Sequence, residues 1–166
     1  MTSVEPDARP SSESHAIDVE PVRTPEELEL VYEIRREVFD QEQHLTTWVR
    51  DFPEDEHSLN VLAWIDGQAV GTGRVSLWGD EAQIAWVAVR KPYRGQGVGR
   101  AVMHYLIRWA REHGARIVTL NAQTHALGFY QKLGFRPIGR PFYMAHIEHQ
   151  LMELELRPRD AEGGAA

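Results

Sequence analysis

The 166-residue chain contains no cysteine. This absence excludes disulfide frameworks, thiolate nucleophiles and cysteine-based zinc sites together, and it fits a reducing compartment. Basic residues are also scarce: 18 Lys and Arg stand against 25 Asp and Glu, which gives a formal net charge of −7. Because contacts with a phosphate backbone need clustered Lys and Arg, the composition argues against a nucleic-acid partner.

Long apolar runs are missing as well. No stretch approaches the roughly 18 residues of a membrane-spanning helix, and the N-terminal segment lacks the apolar core of a signal peptide. We therefore expect no membrane association and a cytoplasmic location. The chain length, with 42% hydrophobic and 26% charged residues, is typical of one globular domain.

Both ends of the chain differ in composition from its middle. Residues 1–16 are rich in Pro, Ser and Glu and nearly devoid of apolar side chains, and residues 158–166 have the same character. Such segments cannot bury enough apolar surface to offset the entropy lost on ordering, so both are predicted to be disordered tails. A single folded domain is expected over residues 17–157.

The order of predicted elements indicates a mixed α/β sheet with helices on its faces. A short strand at residues 17–22 precedes a helix whose start is marked by Thr24 as N-cap, a proline at the first helical position and Glu27 as capping-box residue. Three antiparallel strands follow over residues 59–89. The other predicted elements are a short helix near 45–49, a helix that begins near Val98 and ends at Gly114, a strand over 116–120, a helix over 126–133 and two strands near 135–139 and 149–156.

A glycine-rich loop, residues 90–100 (RKPYRGQGVGR), separates the third of these strands from the next helix. Three glycines permit a ligand to approach the backbone closely, and the helix N-terminus offers unpaired N–H groups with positive dipole character. Together with Lys91, Arg94 and Arg100, in an otherwise acidic chain, these features favour a ligand that carries phosphate. The simpler alternative is a glycine-rich turn before a surface helix.

Two other nucleotide-binding motifs do not fit this loop. The NTPase phosphate-binding pattern ends in Gly-Lys-Ser/Thr, which is absent here, and the dinucleotide fingerprint belongs near the first strand of a parallel unit. This loop follows an antiparallel set of strands instead, so neither motif accounts for it.

The glycine loop and a second segment together resemble the GNAT superfamily of N-acetyltransferases. Arg94, Gly97 and Gly99 match the family motif Arg/Gln-x-x-Gly-x-Gly/Ala, and residues 129–135 match its Phe-Tyr-x-Lys-x-Gly-Phe. Finding both, in the expected element order, is far more specific than finding either one.

Two further segments are similar to the ElaA-like branch of this superfamily. They are residues 35–43, RREVFDQEQ, and residues 121–125, NAQTH. The resemblance extends over about residues 20–155 and weakens near the end, where the acidic Glu-Asp pair of that branch is absent.

This resemblance implies the GNAT fold, an α/β (α+β) architecture in which about four helices flank a mixed, mostly antiparallel sheet of about six or seven strands. It implies a splayed opening between the strand that ends at Val89 and the strand that starts at Arg116, with acetyl-CoA bound there. No metal is expected, because His146 and His149, three positions apart on a strand, would point to opposite faces. The residues that the resemblance assigns to acetyl-CoA are Val87, Val89, Arg94, Gly95, Gln96, Gly97, Val98, Gly99, Arg100, Asn121 and Tyr130.

The resemblance also implies direct acetyl transfer to a primary amine of a small molecule or peptide. The Val87 N–H would face the thioester oxygen, where donation to a developing oxyanion is a large catalytic term. Tyr130 matches the family's general acid, and its structural alternative is a packed, buried tyrosine. Some relatives carry a glutamate base where this chain has Gln83, and an amide cannot accept a proton at neutral pH.

A replacement base must therefore be another residue or a water relay. Glu42, His125 and His149 are the candidates, although a single histidine is more often a hydrogen-bonded structural residue than a base. An acidic loop at residues 51–56, together with Glu42, would suit a cationic acceptor, although such a charge run is also typical of solvated surface. The rival function is an acetyl-CoA sensor or interaction module with little turnover, and homodimer pairing through the final strands is left open.

Overall fold

The structure is a computed structural model that describes residues 1–3, 16–44 and 58–156. This part of the chain forms one mixed sheet with helices on both faces. Its strands and helices are β1 (Thr2–Ser3), β2 (Asp18–Pro21), α1 (Pro25–Arg35), β3 (Ser58–Ile65), β4 (Gln68–Trp78), β5 (Glu81–Val89), α2 (Val98–Glu112), β6 (Ile117–Gln123), α3 (Leu127–Lys132), β7 (Arg136–Met144) and β8 (Ile147–Glu155).

The strand order across the sheet is β2-β3-β4-β5-β1-β6-β8-β7. Most neighbours are antiparallel, whereas β1, β5 and β6 run parallel to one another. The predicted mixed α+β class is confirmed, with eight strands and three α-helices in the described residues instead of six or seven and four. The helix predicted near 45–49 and the acidic loop at 51–56 lie outside those residues.

Helix α1 begins where the sequence predicts. The Glu27 N–H donates to Thr24 Oγ1 at 3.1 Å, and the Glu27 carboxylate accepts from the Arg23 N–H at 3.0 Å. These two bonds satisfy amide groups that a helix start otherwise leaves unpaired. The helix then passes into a π-helical turn, Arg36–Glu42, which carries the end of this element toward the glycine loop.

Helix α1 and helix α2 cover opposite faces of the sheet. Val31 and Ile34 of α1 pack with Ala88, whereas Val102 of α2 packs in a second cluster with Val87. Successive residues of a strand point to opposite faces, so adjacent positions of β5 serve the two clusters. We call the face of the sheet covered by α1 the α1 face and the face covered by α2 the α2 face. Within the described residues, no helix combines the length and apolar character needed to cross a membrane.

Two glycines of β4 allow α2 to lie close to the sheet. A Cβ atom on Gly73 would lie 2.8 Å from Val102 Cγ1 and 2.9 Å from Leu106 Cδ1, and one on Gly71 would lie 2.8 Å from Val98 Cγ1. Because Val98 is the first residue of α2, this packing fixes the N-terminus of the helix, and with it the glycine loop, relative to the sheet.

We expect Gly73→Ala to destabilise the protein by about 1–3 kcal/mol, because the added methyl group overpacks the contact with Val102. The control is Gly128→Ala, where a Cβ meets nothing within 4 Å and the helical position favours alanine. Urea denaturation measures both variants. Equal midpoints for Gly73→Ala and the wild type would contradict this account of the α2 packing.

The N-terminus departs from its sequence prediction. Composition assigned residues 1–16 to a disordered tail, yet Thr2 and Ser3 form β1 inside the sheet, where Thr2 has no exposed surface. The sheet has an interior position that can satisfy the backbone groups of any extended segment, and composition carries no signal of that position. Most of this tail, and all of the predicted C-terminal tail at 158–166, lie outside the described residues.

Candidate active site

Strands β5 and β6 are paired over only part of their length. Ile84 and Leu120 form the last direct pair, and beyond it the strands separate. Strand β1 lies between them, with Thr2 paired to Val87 on one side and to Ala122 on the other. The splayed opening that the resemblance implied is therefore present, and we call it the β5–β6 gap.

A bulge in β5 accompanies this divergence. Gly73 of β4 faces both Trp86 and Val87, because the pairing of β4 with β5 shifts register at this point. Trp86 has φ of 56°, in the left-handed region that a bulky side chain seldom adopts. Its N–H group donates to the carbonyl oxygen of Met1 in the gap.

The N–H of Trp86 is thus a donor into the gap, next to Val87, to which the resemblance assigned that role. Sequence reasoning missed Trp86 because an aromatic residue in an apolar strand is typical of core packing. The Trp86 ring contacts Phe39 edge-on, with ring centroids 5.2 Å apart. The guanidinium of Arg35, which has no exposed surface, lies 5.4 Å from the centroid of the Trp86 ring.

The glycine loop leads from the open end of β5 into α2, as predicted. Gly95 and Gly97 have φ of 78° and 87°, which glycine adopts without strain. A Cβ on Gly97 would meet nothing within 4 Å, so the space at this helix start is open. Gly97 is the N-cap of the 15-residue helix α2. The first amides of α2 and the positive end of its dipole are therefore accessible to an anion.

Arg94 and Glu42 join this loop to the π-helical turn. The Arg94 Nε–H donates to the Val89 carbonyl oxygen at 2.9 Å, and its two terminal nitrogens contact the two Glu42 carboxylate oxygens at 2.8 and 2.9 Å. Both carboxylate oxygens are engaged, which makes Glu42 a poor candidate for the base. The pair instead anchors the loop.

Tyr130 of α3 is fully buried in the core cluster on the α2 face, and its hydroxyl lies next to Thr2 in the gap. Its ring meets Phe129 and Phe135 edge-on, at centroid distances of 5.0 and 6.0 Å. Burial raises the pKa of the Tyr130 hydroxyl well above its usual range, and the neighbouring Thr2 side chain opposes this slightly. The hydroxyl makes no well-formed hydrogen bond in the described structure. It is a protonated donor at neutral pH.

His149 lies on β8 opposite Gln123 and has no exposed surface. Its Nδ1 is 2.8 Å from the Ile147 carbonyl oxygen, a contact that is a hydrogen bond when Nδ1 carries the proton. Nε2 is buried without a partner among the described residues, so the neutral ring has a free acceptor. Burial lowers the pKa of His149, and the bond to Ile147 opposes that shift.

A cluster of polar side chains joins the gap to Gln43, the residue that follows the π-helical turn. The Gln43 side-chain amide donates to Ser3 Oγ and to Gln123 Oε1, the latter at 3.1 Å. On the other edge, the carbonyl of Asn121, assigned to the cofactor by the resemblance, accepts from Thr2 Oγ1 at 3.4 Å. The gap therefore presents backbone and amide groups along both sides.

A cavity of about 240 Å³ lies between α2 and α3. His125, one of the base candidates, is exposed and belongs to this cavity. The basic side chains on its wall, Arg100 and Lys132, suit a phosphate group. The lining residues are Arg100, His104, His125, Gly128, Phe129, Lys132 and Leu133.

Gln83 lies before the strands diverge, paired with Ser76 of β4 and Thr119 of β6, and it is exposed. Trp78 is 59% exposed at the turn between β4 and β5. Within residues 1–3, 16–44 and 58–156, no three His, Asp or Glu side chains are grouped to hold a metal ion.

Comparisons with known proteins agree with this geometry. The family model described as "Acetyltransferase (GNAT) domain" matches residues 19–156. The chain is 33% identical to the Bacillus subtilis protein YyaT over 144 residues, which cover 84% of this chain and 97% of YyaT. ElaA from Escherichia coli has the same fold, with a TM-score of 0.71 at 24% identity over 84% of this chain and 100% of ElaA. An acyl-CoA N-acyltransferase from Pseudomonas aeruginosa gives 0.71 at 24% identity, over 85% and 99%.

The fold and the family match define an acyl-CoA-dependent N-acyltransferase. This chain belongs to the GNAT acetyltransferases. The resemblance drawn from the glycine loop and from residues 129–135 is confirmed, and the similarity to ElaA is one of fold.

Proposed function

We propose that the protein transfers an acetyl group from acetyl-CoA directly to a primary amine of a small molecule or peptide. The observation that carries this proposal is the β5–β6 gap, which has the glycine loop at its open end and the buried Tyr130 hydroxyl beside it. The gap is lined by strand groups through which β5 and β6 do not pair with each other, so it suits an extended, amide-containing arm such as pantetheine. The open helix start at Gly97 suits a pyrophosphate.

Several residues would hold the cofactor. The amides of residues 95–100 would bind the pyrophosphate, and the backbone of Val87, Val89 and Asn121 would pair with the pantetheine arm. The cavity containing Arg100 and Lys132 lies beside the loop, and its basic wall suits the remaining phosphate of CoA. The Arg94 guanidinium contributes by fixing the loop, because its hydrogen bonds are directed to Val89 and Glu42.

When bound, acetyl-CoA supplies an activated acetyl thioester. In transfer, a C–N bond to the amine forms and the C–S bond breaks. The N–H of Trp86, with Val87 beside it, would donate to the carbonyl oxygen on which negative charge develops. His149 Nε2 would accept the proton that the amine loses, directly or through a water molecule. The Tyr130 hydroxyl would donate a proton to the departing thiolate.

The charges around the gap favour an amine that reacts in its neutral form. Glu42 is paired with Arg94, so it no longer supports a preference for cationic acceptors. Arg35 places a buried positive charge near the same region, stacked on Trp86 and bonded through Nη2 to Asn60 Oδ1 at 2.9 Å. A cation near an amine disfavours the ammonium form.

His149 as the base predicts a specific pH dependence. Only the neutral ring accepts a proton, and burial lowers the pKa of His149 below 6.5. We expect kcat/KM to fall on the acidic side with an inflection below 6.5, and His149→Gln to remove this inflection and lower kcat/KM by about 10²–10⁴-fold. His125→Gln is the matched control and should keep the inflection. A pH profile unchanged in His149→Gln would exclude this role.

Acetyl-CoA turnover with a panel of primary amines tests the proposed function. The panel should include polyamines, aminoglycosides, lysine and short peptides, with released thiol and acetylated amine both quantified. Amine-dependent release of one thiol per acetylated product is expected. Tight acetyl-CoA binding with no turnover for any amine would instead support the sensor or interaction module, which the amide at Gln83 favours.

A further inference from the structure

The β5–β6 gap is occupied by the chain's own N-terminus. Thr2 pairs with Val87 and Ala122, and Ser3 pairs with Ala88, all in parallel orientation. The segment therefore runs toward the carboxyl ends of β5 and β6, where the glycine loop lies, and Met1 is at the inner end. A pantetheine arm attached to a pyrophosphate bound at the glycine loop would enter the gap along the same path.

The gap is one strand wide. Neighbouring strands in a sheet lie about 4.8 Å apart, so two strands that each pair with β1 leave room for a single extended segment between them. Residues 1–3 and a pantetheine arm cannot occupy it together. Thr2 is fully buried and Ser3 is 6% exposed, which means that the segment fills the space.

The contacts of this segment involve the groups that the proposed chemistry uses. The Met1 carbonyl accepts from the Trp86 N–H, and the Thr2 side chain lies against the Tyr130 hydroxyl. Ser3 Oγ accepts from Gln43, which directly follows Glu42, the partner of Arg94 and the last residue of the π-helical turn. The segment thus contacts the proposed oxyanion donor, Trp86, and the proposed acid, Tyr130. Through Gln43 it also contacts the end of the π-helical turn that anchors the glycine loop.

We propose that residues 1–3 form an autoinhibitory strap that competes with acyl-CoA for the β5–β6 gap. This inference rests on the proposed function, since it requires that acyl-CoA use the same gap. Acyl-CoA binds only to the fraction of molecules in which the strap is out, so the measured association constant equals the intrinsic one multiplied by that fraction. The strap sets the acyl-CoA concentration at which the enzyme becomes active.

The strap can be displaced without unfolding the domain, because β5 and β6 remain paired below the gap through Ile84 and Leu120. We expect Thr2→Asp and Ser3→Asp to expel it, since an unpaired carboxylate in these buried positions is costly. Ala16→Asp is the matched control, because it adds the same charge near the same end of the chain at an exposed position.

Calorimetric titration with acetyl-CoA measures the effect. Both strap variants should bind acetyl-CoA about tenfold more tightly than the wild type, as for a strap that is out in about one molecule in ten, and Ala16→Asp should match the wild type. Intact-mass measurement establishes that Met1 is present in each protein. Equal affinity in all four proteins would overturn the strap while leaving the proposed function in place. No binding by any of them would overturn both.

A peptide added in trans provides a second readout. A synthetic Met-Thr-Ser-Val-Glu-Pro peptide should inhibit the Thr2→Asp variant competitively against acetyl-CoA, and the same peptide with Asp at its second position should not. If neither peptide inhibits, or if both inhibit equally, recognition of these residues by the gap is excluded.

Discussion

Replacing Tyr130 with phenylalanine is expected to lower kcat by about 10²–10⁴-fold and to leave acetyl-CoA affinity nearly unchanged. The physical reason is that the hydroxyl is held protonated by burial and lies beside the gap without a well-formed bond. The ring itself packs against Phe129 and Phe135, and phenylalanine preserves that packing. Single-turnover kinetics at saturating acetyl-CoA, where chemistry limits the rate, measures the loss.

Tyr105→Phe is the matched control, because it removes a tyrosine hydroxyl from α2, where Tyr105 packs at the edge of the core near Arg108. It should retain the wild-type rate. Since burial raises the pKa of Tyr130, wild-type activity should also persist on the alkaline side to about pH 10, the ordinary pKa of a tyrosine. A Tyr130→Phe enzyme with the wild-type single-turnover rate would make the hydroxyl structural.

The second large effect is expected at the glycine loop. Gly97→Glu should weaken acetyl-CoA binding by at least about 100-fold, because it places bulk and negative charge at the open helix start where the pyrophosphate would sit. Gly97 also has φ of 87°, so part of any change is backbone strain of about 1–2 kcal/mol.

Gly79→Glu separates strain from lost binding. Gly79 has φ of 63° in the turn between β4 and β5, and a Cβ there meets nothing within 4 Å, as at Gly97. Both variants should lose similar stability in thermal unfolding, but only Gly97→Glu should lose affinity in a calorimetric titration. Equal acetyl-CoA affinities for the two variants would remove the phosphate site from this loop.

Signals carried by neighbouring residues could be recognised in the sequence. The Thr24 and Glu27 cap, the glycine loop before Val98 and the Phe-Tyr segment at 129–135 each depend on spacing within a few residues, and each is found where predicted. The alternation of apolar residues likewise placed the three antiparallel strands that support the site.

Features that depend on distant parts of the chain were not predictable in this way. The bulge at Trp86 arises from the register between β4 and β5, and the pairing of Glu42 with Arg94 joins residues 52 positions apart. Nε2 of His149 is left as the free acceptor because Nδ1 contacts the Ile147 carbonyl, and the ring is buried only when the sheet assembles. The N-terminal strand is the clearest case, because its order comes from the gap and its own composition favours disorder.

Hydrogen exchange measured by mass spectrometry, with and without acetyl-CoA, shows whether acyl-CoA binds in the β5–β6 gap. Addition of acetyl-CoA should slow exchange in the loop at residues 90–100 and in the segments that flank the gap, and should speed exchange in the N-terminal peptide as the strap leaves. Unchanged exchange at the loop and along β5 and β6, at a concentration that saturates binding, would contradict the account.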